Sequence, residues 1–223
     1  MNKKIFLVIA ALALIVPGLV AASTPGEAEI QSETQLSEYE FESSNQSVNV
    51  SAGQITELDL FTQQSTYRWA GLFGTTTGSI VLGDDDDNIL YNWSATGLAV
   101  YASISGSIDW DTLGINTVGN LEADFAFAST GADNIGDTFD SSENFESNIL
   151  GTINTIRAQT FDNTGSAFWS TFALRDGGDV NVFAGLVASG QSFNDEAVDF
   201  QMIVPQDGLN APSTQYSLWV ELQ

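Results

Sequence analysis

Leu98-Ala-Val-Tyr-Ala-Ser-Ile104 carries its larger aliphatic residues at every second position. A strand sends successive side chains to opposite faces, so Leu98, Val100, Ala102 and Ile104 are expected to share one face of a sheet. The same texture extends in both directions. Upstream lie Ile55-Thr-Glu-Leu-Asp-Leu-Phe61, Tyr67-Arg-Trp-Ala-Gly-Leu-Phe73, Ser79-Ile-Val-Leu82 and Asn88-Ile-Leu-Tyr-Asn-Trp93. The last two flank Gly83-Asp-Asp-Asp-Asp87, which reads as a hairpin loop. Downstream, strands are expected at 121–128, 155–161, 167–173, 179–187, 198–204 and 214–222. In the last of these, Tyr216, Leu218, Val220 and Leu222 share a face, as suits a strand that closes a domain.

One stretch departs from this pattern. Phe145, Ile149, Ile153 and Ile156 recur at three- to four-residue spacing, with Asp140 placed to cap a helix and Glu143 three residues on. Gly151 limits the length, so at most one short helix is expected, near 142–150. About ten or more short strands joined by Gly-, Asn-, Asp- and Ser-rich turns imply an all-β fold, an antiparallel β-sandwich or jelly-roll-like arrangement. The two halves differ in aromatic spacing, which suggests a single domain with two lobes.

The first residues bear on the compartment. Lys3 and Lys4 precede a nearly all-apolar run from Ile5 to Val20, broken by Pro17-Gly18 and followed by Ala21, Ala22 and Ser23. A basic start, a short apolar run and a small-residue exit mark residues 1–23 as a secretory signal peptide. Residues 24–44 form a polar, acidic tail, and the β-sandwich domain is placed at 45–223. The tail reads as a flexible tether. Tyr39 and Phe41, alternating with Glu38, Glu40 and Glu42, equally allow a strand that pairs with the sheet edge of a neighbouring subunit. No second apolar run reaches the length of a membrane span.

Charge separates the partners this chain accepts from those it repels. It has 29 acidic residues and five basic ones, two of them Lys3 and Lys4. After cleavage only Arg68, Arg157 and Arg175 would oppose the acids, for a net charge of 3 − 29 = −26. Self-repulsion at this density calls for high salt or carboxylate-held divalent cations. Near-absence of lysine matches the composition of halophilic proteins. Nucleic-acid binding is excluded, because neutralising phosphates needs a basic surface.

Histidine and cysteine are absent, and the mature chain has no lysine. Imidazole bases, thiolate nucleophiles, Schiff-base amines and the usual zinc and copper ligands are therefore missing. Paired carboxylates of the glycoside-hydrolase kind remain as the only enzymatic option, and no feature singles out a pair. No catalytic residue and no organic cofactor is assigned. Asp84, Asp85, Asp86 and Asp87 are the candidate metal ligands, for calcium, weighed against a solvated hairpin tip. The EF-hand pattern fails there, with Ile89 at position six and Ala95 at position twelve. Asp133, Asp137, Asp140 and Glu143 form a second acidic cluster, read first as an ordinary loop. Each arginine is expected to pair with a carboxylate. Trp69, Trp93, Trp110, Trp169 and Trp219 are expected in the core, with a sugar-stacking platform as the alternative. Asn45, Asn49 and Asn92 each head an Asn-X-Ser sequon and are candidate glycosylation sites.

The stretches Ile55-Thr-Glu-Leu58, Ser65-Thr-Tyr-Arg-Trp-Ala-Gly-Leu-Phe-Gly74, Gly78-Ser-Ile-Val-Leu-Gly-Asp84, Leu90-Tyr-Asn-Trp-Ser94, Asp199-Phe-Gln-Met-Ile-Val-Pro205 and Tyr216-Ser-Leu-Trp-Val-Glu-Leu222 together resemble a family of uncharacterised secreted archaeal surface proteins. The resemblance implies location and lineage, and no activity. A fainter likeness, in architecture and in the Val-Pro…Tyr-strand ending, is to fibre subunits of the TasA and camelysin kind, which assemble by strand donation. The expected function is a non-enzymatic, secreted, extracellular or cell-surface structural protein that self-associates, as a filament subunit with N-terminal strand donation. The alternative is a glycan- or cation-binding adhesion module.

Overall fold

The stretch 98–104 lies at the centre of the molecule. The computed structural model describes residues 24–37, 47–49, 51–52, 54–63, 65–126, 131–207 and 213–223. The strands before the centre are β1 Gly26–Glu27, β2 Trp69–Gly74, β3 Gly78–Gly83 and β4 Ile89–Ala95, and β5 Gly97–Ser103 is the central strand itself. Then follow β6 Gly114–Ile115, α1 Val118–Phe125, α2 Ile135–Thr138, β7 Ser141–Ser147, β8 Gly151–Phe161 and β9 Ala167–Arg175. The chain closes with β10 Asn181–Leu186, β11 Gly190–Gln191, β12 Ala197–Val198, β13 Phe200–Pro205 and β14 Ser217–Leu222. The protein is all-β and its sheets are antiparallel, as the alternation predicts.

The main sheet runs β1-β14-β5-β10-β9-β8-β7, with β6 paired to β9. β5 is buried on both faces. Val100 and Ala102 join Phe125, Phe139, Phe183 and Met202 on one side, whereas Ala99 and Tyr101 join Phe172, Leu174, Val182 and Trp219 on the other. A two-stranded layer, β2–β13, and the helices cover the first side. The Ile203 N–H ties that layer to the sheet by donating to Thr171 Oγ1 at 2.8 Å. On the second side, the segment bearing Ile108, Trp110 and Leu113 closes the core. Two apolar faces on one sheet, each roofed by further elements, give the sandwich-like character.

Three expectations change. The run from Leu121 onward forms helix α1 rather than a strand. Thr117 caps it by accepting the Asn120 N–H, and Leu121 and Phe125, four apart, are both buried. The helix expected near 142–150 is instead strand β7 and a turn, because Phe145 and Ser147 point inward with period two and Gly151 turns the chain at φ +64°. Residues 55–61 form no strand: they take no regular secondary structure, and Ile55, Leu60 and Phe61 are almost fully exposed.

Tail residues 24–37 are described, and the first of them sit on the sheet edge of their own chain. Gly26 pairs with Val220 and Glu27 with Trp219, and the Ala28 N–H donates to the Leu218 carbonyl at 2.9 Å. The Tyr39–Phe41 alternation and residues 1–23 lie outside the described residues. Between Glu27 and Trp69 no helix or strand occurs among the described residues. No helix among the described residues is long and apolar enough to cross a membrane.

Two tyrosines make the fold sensitive to alkali. Burial raises the Tyr101 phenol well above its ordinary value, and the Glu221 carboxylate that accepts its hydrogen bond adds to the shift. Burial, then the charge of Asp207, raises Tyr216 in the same direction. A phenol whose folded value is raised stays protonated in the fold after the unfolded chain ionises, so stability is complete below pH ~10 and falls above it. Each ring is expected to remove about 1.4 kcal/mol between pH 8 and pH 11. The sequence has no histidine or cysteine, and its two lysines are Lys3 and Lys4, so tyrosine dominates side-chain titration in this range. Chemical denaturation at the two pH values checks the loss, and Tyr216→Phe is expected to halve it.

Candidate functional site

The part of the molecule that stands apart from both cores is the hairpin β3–β4, a two-stranded sheet of its own. Its turn is built on Asp84. The Asp84 N–H donates to the Asn88 carbonyl at 3.1 Å, and the Asp87 N–H donates back to the Asp84 carbonyl at 3.3 Å. Asp84 Oδ1 accepts from the Asp86 and Asn88 N–H groups, and the Asn88 side-chain amide donates to both carboxylate oxygens. These bonds, led by the one from the Asn88 side chain, hold the Asp84 carboxyl below its usual value. Asp87 takes the left-handed conformation at φ 64°, as the fourth residue of such a turn requires.

The same turn recurs three times. Asp162–Ser166, Asp176–Val180 and Ser192–Glu196 close with the same pair of backbone bonds. Each places its fourth residue, Gly165, Asp179 or Asp195, at positive φ. In each, the first residue's side-chain oxygen accepts the N–H of the fifth. This repeated geometry accounts for much of the loop aspartate. Asp84, one of the four proposed calcium ligands, has its carboxylate committed to its own turn, and no group of three or more potential metal-holding acids occurs among the described residues. The second cluster is dispersed. Asp133 meets Arg68, Asp137 binds the Asn134 amide, and Glu143 meets Arg157. All three arginines are ion-paired, Arg175 with both Asp124 and Asp179.

The hairpin is rooted on the end of β14. Thr96 and Gln223 exchange backbone hydrogen bonds, and a Cβ on Gly78 would fall 2.4 Å from Leu222 Cδ2. Beyond this root the register sorts the side chains into two faces. Ile80 lies opposite Trp93, Leu82 opposite Tyr91, and Gly83 opposite Ile89. Directly opposed residues share a face. One face is therefore Ile80, Leu82, Ile89, Tyr91 and Trp93, and every one of them is 48–60% exposed. Ser79, Val81, Leu90, Asn92 and Ser94 lie on the other face, which is mixed in character. Neither strand contains a charged residue, although the turn between them carries four aspartates.

This arrangement separates Trp93 from its four counterparts. Trp169 and Trp219 are buried, and Trp69 and Trp110 are half-buried. Trp93 instead lies against Tyr91 in the open, with ring centroids 4.6 Å apart and the planes tilted by 47°. Asn92, a sequon residue, is exposed and lies on the face opposite Tyr91 and Trp93, so a glycan there would leave the aromatic face clear. Asn49 is exposed as well, and Asn45 lies outside the described residues.

The edges of the main sheet are protected by contrast. β1 covers part of β14, and β7 at the far edge carries Glu143 and Glu146. Among the described residues no strand pairs with the hairpin's outer edges, and its strands carry no such charges. A shallow cavity of ≈ 290 Å³ opens beside the tail, between Ala28, Ile30, Tyr216 and Leu218, and holds no cluster of titratable groups. The fold and this surface define an all-β protein of sandwich-like character with an uncovered, amphipathic arm. No family model, curated protein or solved structure matches the chain.

Proposed function

We propose that the protein is a non-enzymatic subunit of an extracellular or cell-surface assembly that associates with further copies of itself. One observation carries this reading: a strongly acidic chain keeps a charge-free apolar face exposed on a two-stranded arm whose outer edges are unpaired among the described residues. Isolated two-stranded hairpins are marginally stable in water, and an apolar face gains its stability when something covers it. A second copy, which carries the same net charge, can approach closely where that charge is absent. The signal-like start and the lack of histidine and cysteine fit an exported protein without the common catalytic side chains.

Salt is expected to control the assembly. At ~0.1 M salt the screening length is about 10 Å and the acidic surfaces repel; at ~1 M it is about 3 Å. Sedimentation velocity should show monomers at low salt and growing species at high salt, and negative-stain microscopy should show filaments or rings. Monomers at every salt and calcium concentration would overturn the proposal.

The exposed Tyr91–Trp93 pair supports a second reading, a glycan-binding module in which a sugar stacks on the two rings. Binding on a glycan array that Trp93→Ala abolishes, by a protein that stays monomeric, would favour it over self-association.

A further inference from the structure

Two parts of this chain lack what the other has. The hairpin β3–β4 has an exposed apolar face and, among the described residues, unpaired outer edges. Residues 55–61, Ile-Thr-Glu-Leu-Asp-Leu-Phe, have a strand pattern and no strand partner among the described residues. Their two-residue period sets Thr56, Leu58 and Leu60 on one side and Ile55, Glu57, Asp59 and Phe61 on the other. The hairpin is divided comparably, into a wholly aliphatic and aromatic face and a mixed face of Ser79, Val81, Leu90, Asn92 and Ser94. Added as a third strand, residues 55–61 would extend the apolar face with Leu58 and Leu60. They would also put both acids, with Ile55 and Phe61, on the mixed side and supply the ladder that a lone hairpin lacks.

We infer that residues 55–61 of one copy pair with an outer edge of the β3–β4 hairpin of another. This rests on the self-association proposed above and names its contact. Chain connectivity favours a neighbour over the chain's own hairpin. The segment joins β2 at Trp69, whereas the hairpin leaves β2 at its other end, after Gly74. β2 is six residues long, a span of about 20 Å. Residues 66–68 are held beside Trp69, since the Arg68 carbonyl accepts the Gln206 N–H and Thr66 Oγ1 donates to Asp133, whose carbonyl also accepts the Trp69 indole N–H. Residues 62–65 remain as the linker, and they reach about 14 Å when fully extended, less than the length of β2. Donor and acceptor are different surfaces, so the contact is head-to-tail and repeats from copy to copy, closing into rings or extending into filaments.

The test uses two double variants of the full protein in high salt. Leu58→Asp/Leu60→Asp disables the donor in an exposed coil, where folding of the domain does not depend on it. Leu82→Asp/Trp93→Asp disables the acceptor face. Each alone is expected to weaken assembly by at least tenfold in sedimentation, whereas an equimolar mixture should form heterodimers and nothing larger. Hydrogen exchange over residues 78–95 should slow with protein concentration in the unmodified chain and stay fast in the donor variant.

If the donor variant assembles like the unmodified chain, this contact is wrong while self-association stands. Loss in the acceptor variant alone would then mark hairpin-on-hairpin packing instead. Concentration-independent protection of the hairpin that the donor variant removes would place the segment on its own chain and overturn the exchange between copies. An unmodified chain that stays monomeric at all salts removes the underlying reading itself.

Discussion

Replacing Asp176 by alanine is expected to lower the unfolding free energy by about 3 kcal/mol, through the loss of three hydrogen bonds at a site that is 6% exposed. Asp176 Oδ1 accepts the Gly178 and Val180 N–H groups at 2.9 and 2.8 Å, and Oδ2 accepts the Asp109 N–H at 3.1 Å. The first two close the β9–β10 turn. The third holds the segment that leads into the 3-10 turn Trp110–Thr112, which the Gly177 N–H also grips through Thr112 Oγ1. Trp110 packs edge-on against Tyr101 and Trp219, with centroids 5.2 and 5.8 Å apart. Loss of the carboxylate thus strands three backbone donors and loosens the roof over one core. For a domain of this size the melting temperature should fall by about 6–12 °C. Asp176→Asn, which keeps one acceptor oxygen, should cost about half as much. A loss below ~1 kcal/mol in urea denaturation would show that water replaces the aspartate at no cost.

The second large effect is expected at Glu221, a carboxylate on β14 that is 1% exposed. It accepts the Tyr101 hydroxyl at 2.6 Å and the Asn148 N–H at 2.5 Å. One side chain thereby ties β14 to the central strand and to the turn after β7. Glu221→Ala would leave a phenol and a backbone N–H buried without acceptors and open a void beside Trp219, at a cost of about 3–5 kcal/mol. Glu221→Gln keeps the shape but turns an N–H₂ toward one of the two donors, so an intermediate loss of about 1–2 kcal/mol is expected. A double-mutant cycle with Tyr101→Phe isolates the phenol–carboxylate contribution. Additivity in that cycle would show that Glu221 acts through Asn148 alone.

The central strands were legible because their alternation and their burial agree. Val100, Ala102, Leu218 and Val220 read as one inward face and occupy one. The burial of Ala99 and Tyr101 on the opposite face was not legible, since small residues there mark a crowded second layer only once that layer is known. Helix α1 was hidden by a β-like composition. Its signal, Thr117 followed by Leu121 and Phe125 four apart, is only two turns long. Residues 142–150 failed in the opposite sense, because helical spacing counted across the turn at Gly151 joins residues from different strands.

Residues 55–61 and the hairpin teach a further point. Both carry a clear strand pattern, and the pattern states which face favours burial without stating which molecule buries it. The amphipathic hairpin could be read from Ile80, Leu82, Tyr91 and Trp93. That its apolar face lies bare is a property of the fold, set by a root on the end of β14 that carries the arm clear of both cores. The aspartates of the hairpin tip were legible as a loop, and their use as turn acceptors appears only with the backbone bonds drawn.

Those repeated turns make surface charge and loop closure depend on the same atoms. In Asp84 and Asp162 the ionised form is favoured by bonds from Asn88 and from Thr164, so each carboxyl sits below its usual value and its contribution is complete at neutral pH. Acidification reverses this, since a protonated carboxyl is a poorer acceptor and the bracing is lost as pH falls through the folded value. The chain would then come undone from its rims inward. The hairpin tips would loosen while the paired strands behind them still hold, and an acid would discharge the rest of the surface before it unlatched these corners of the fold.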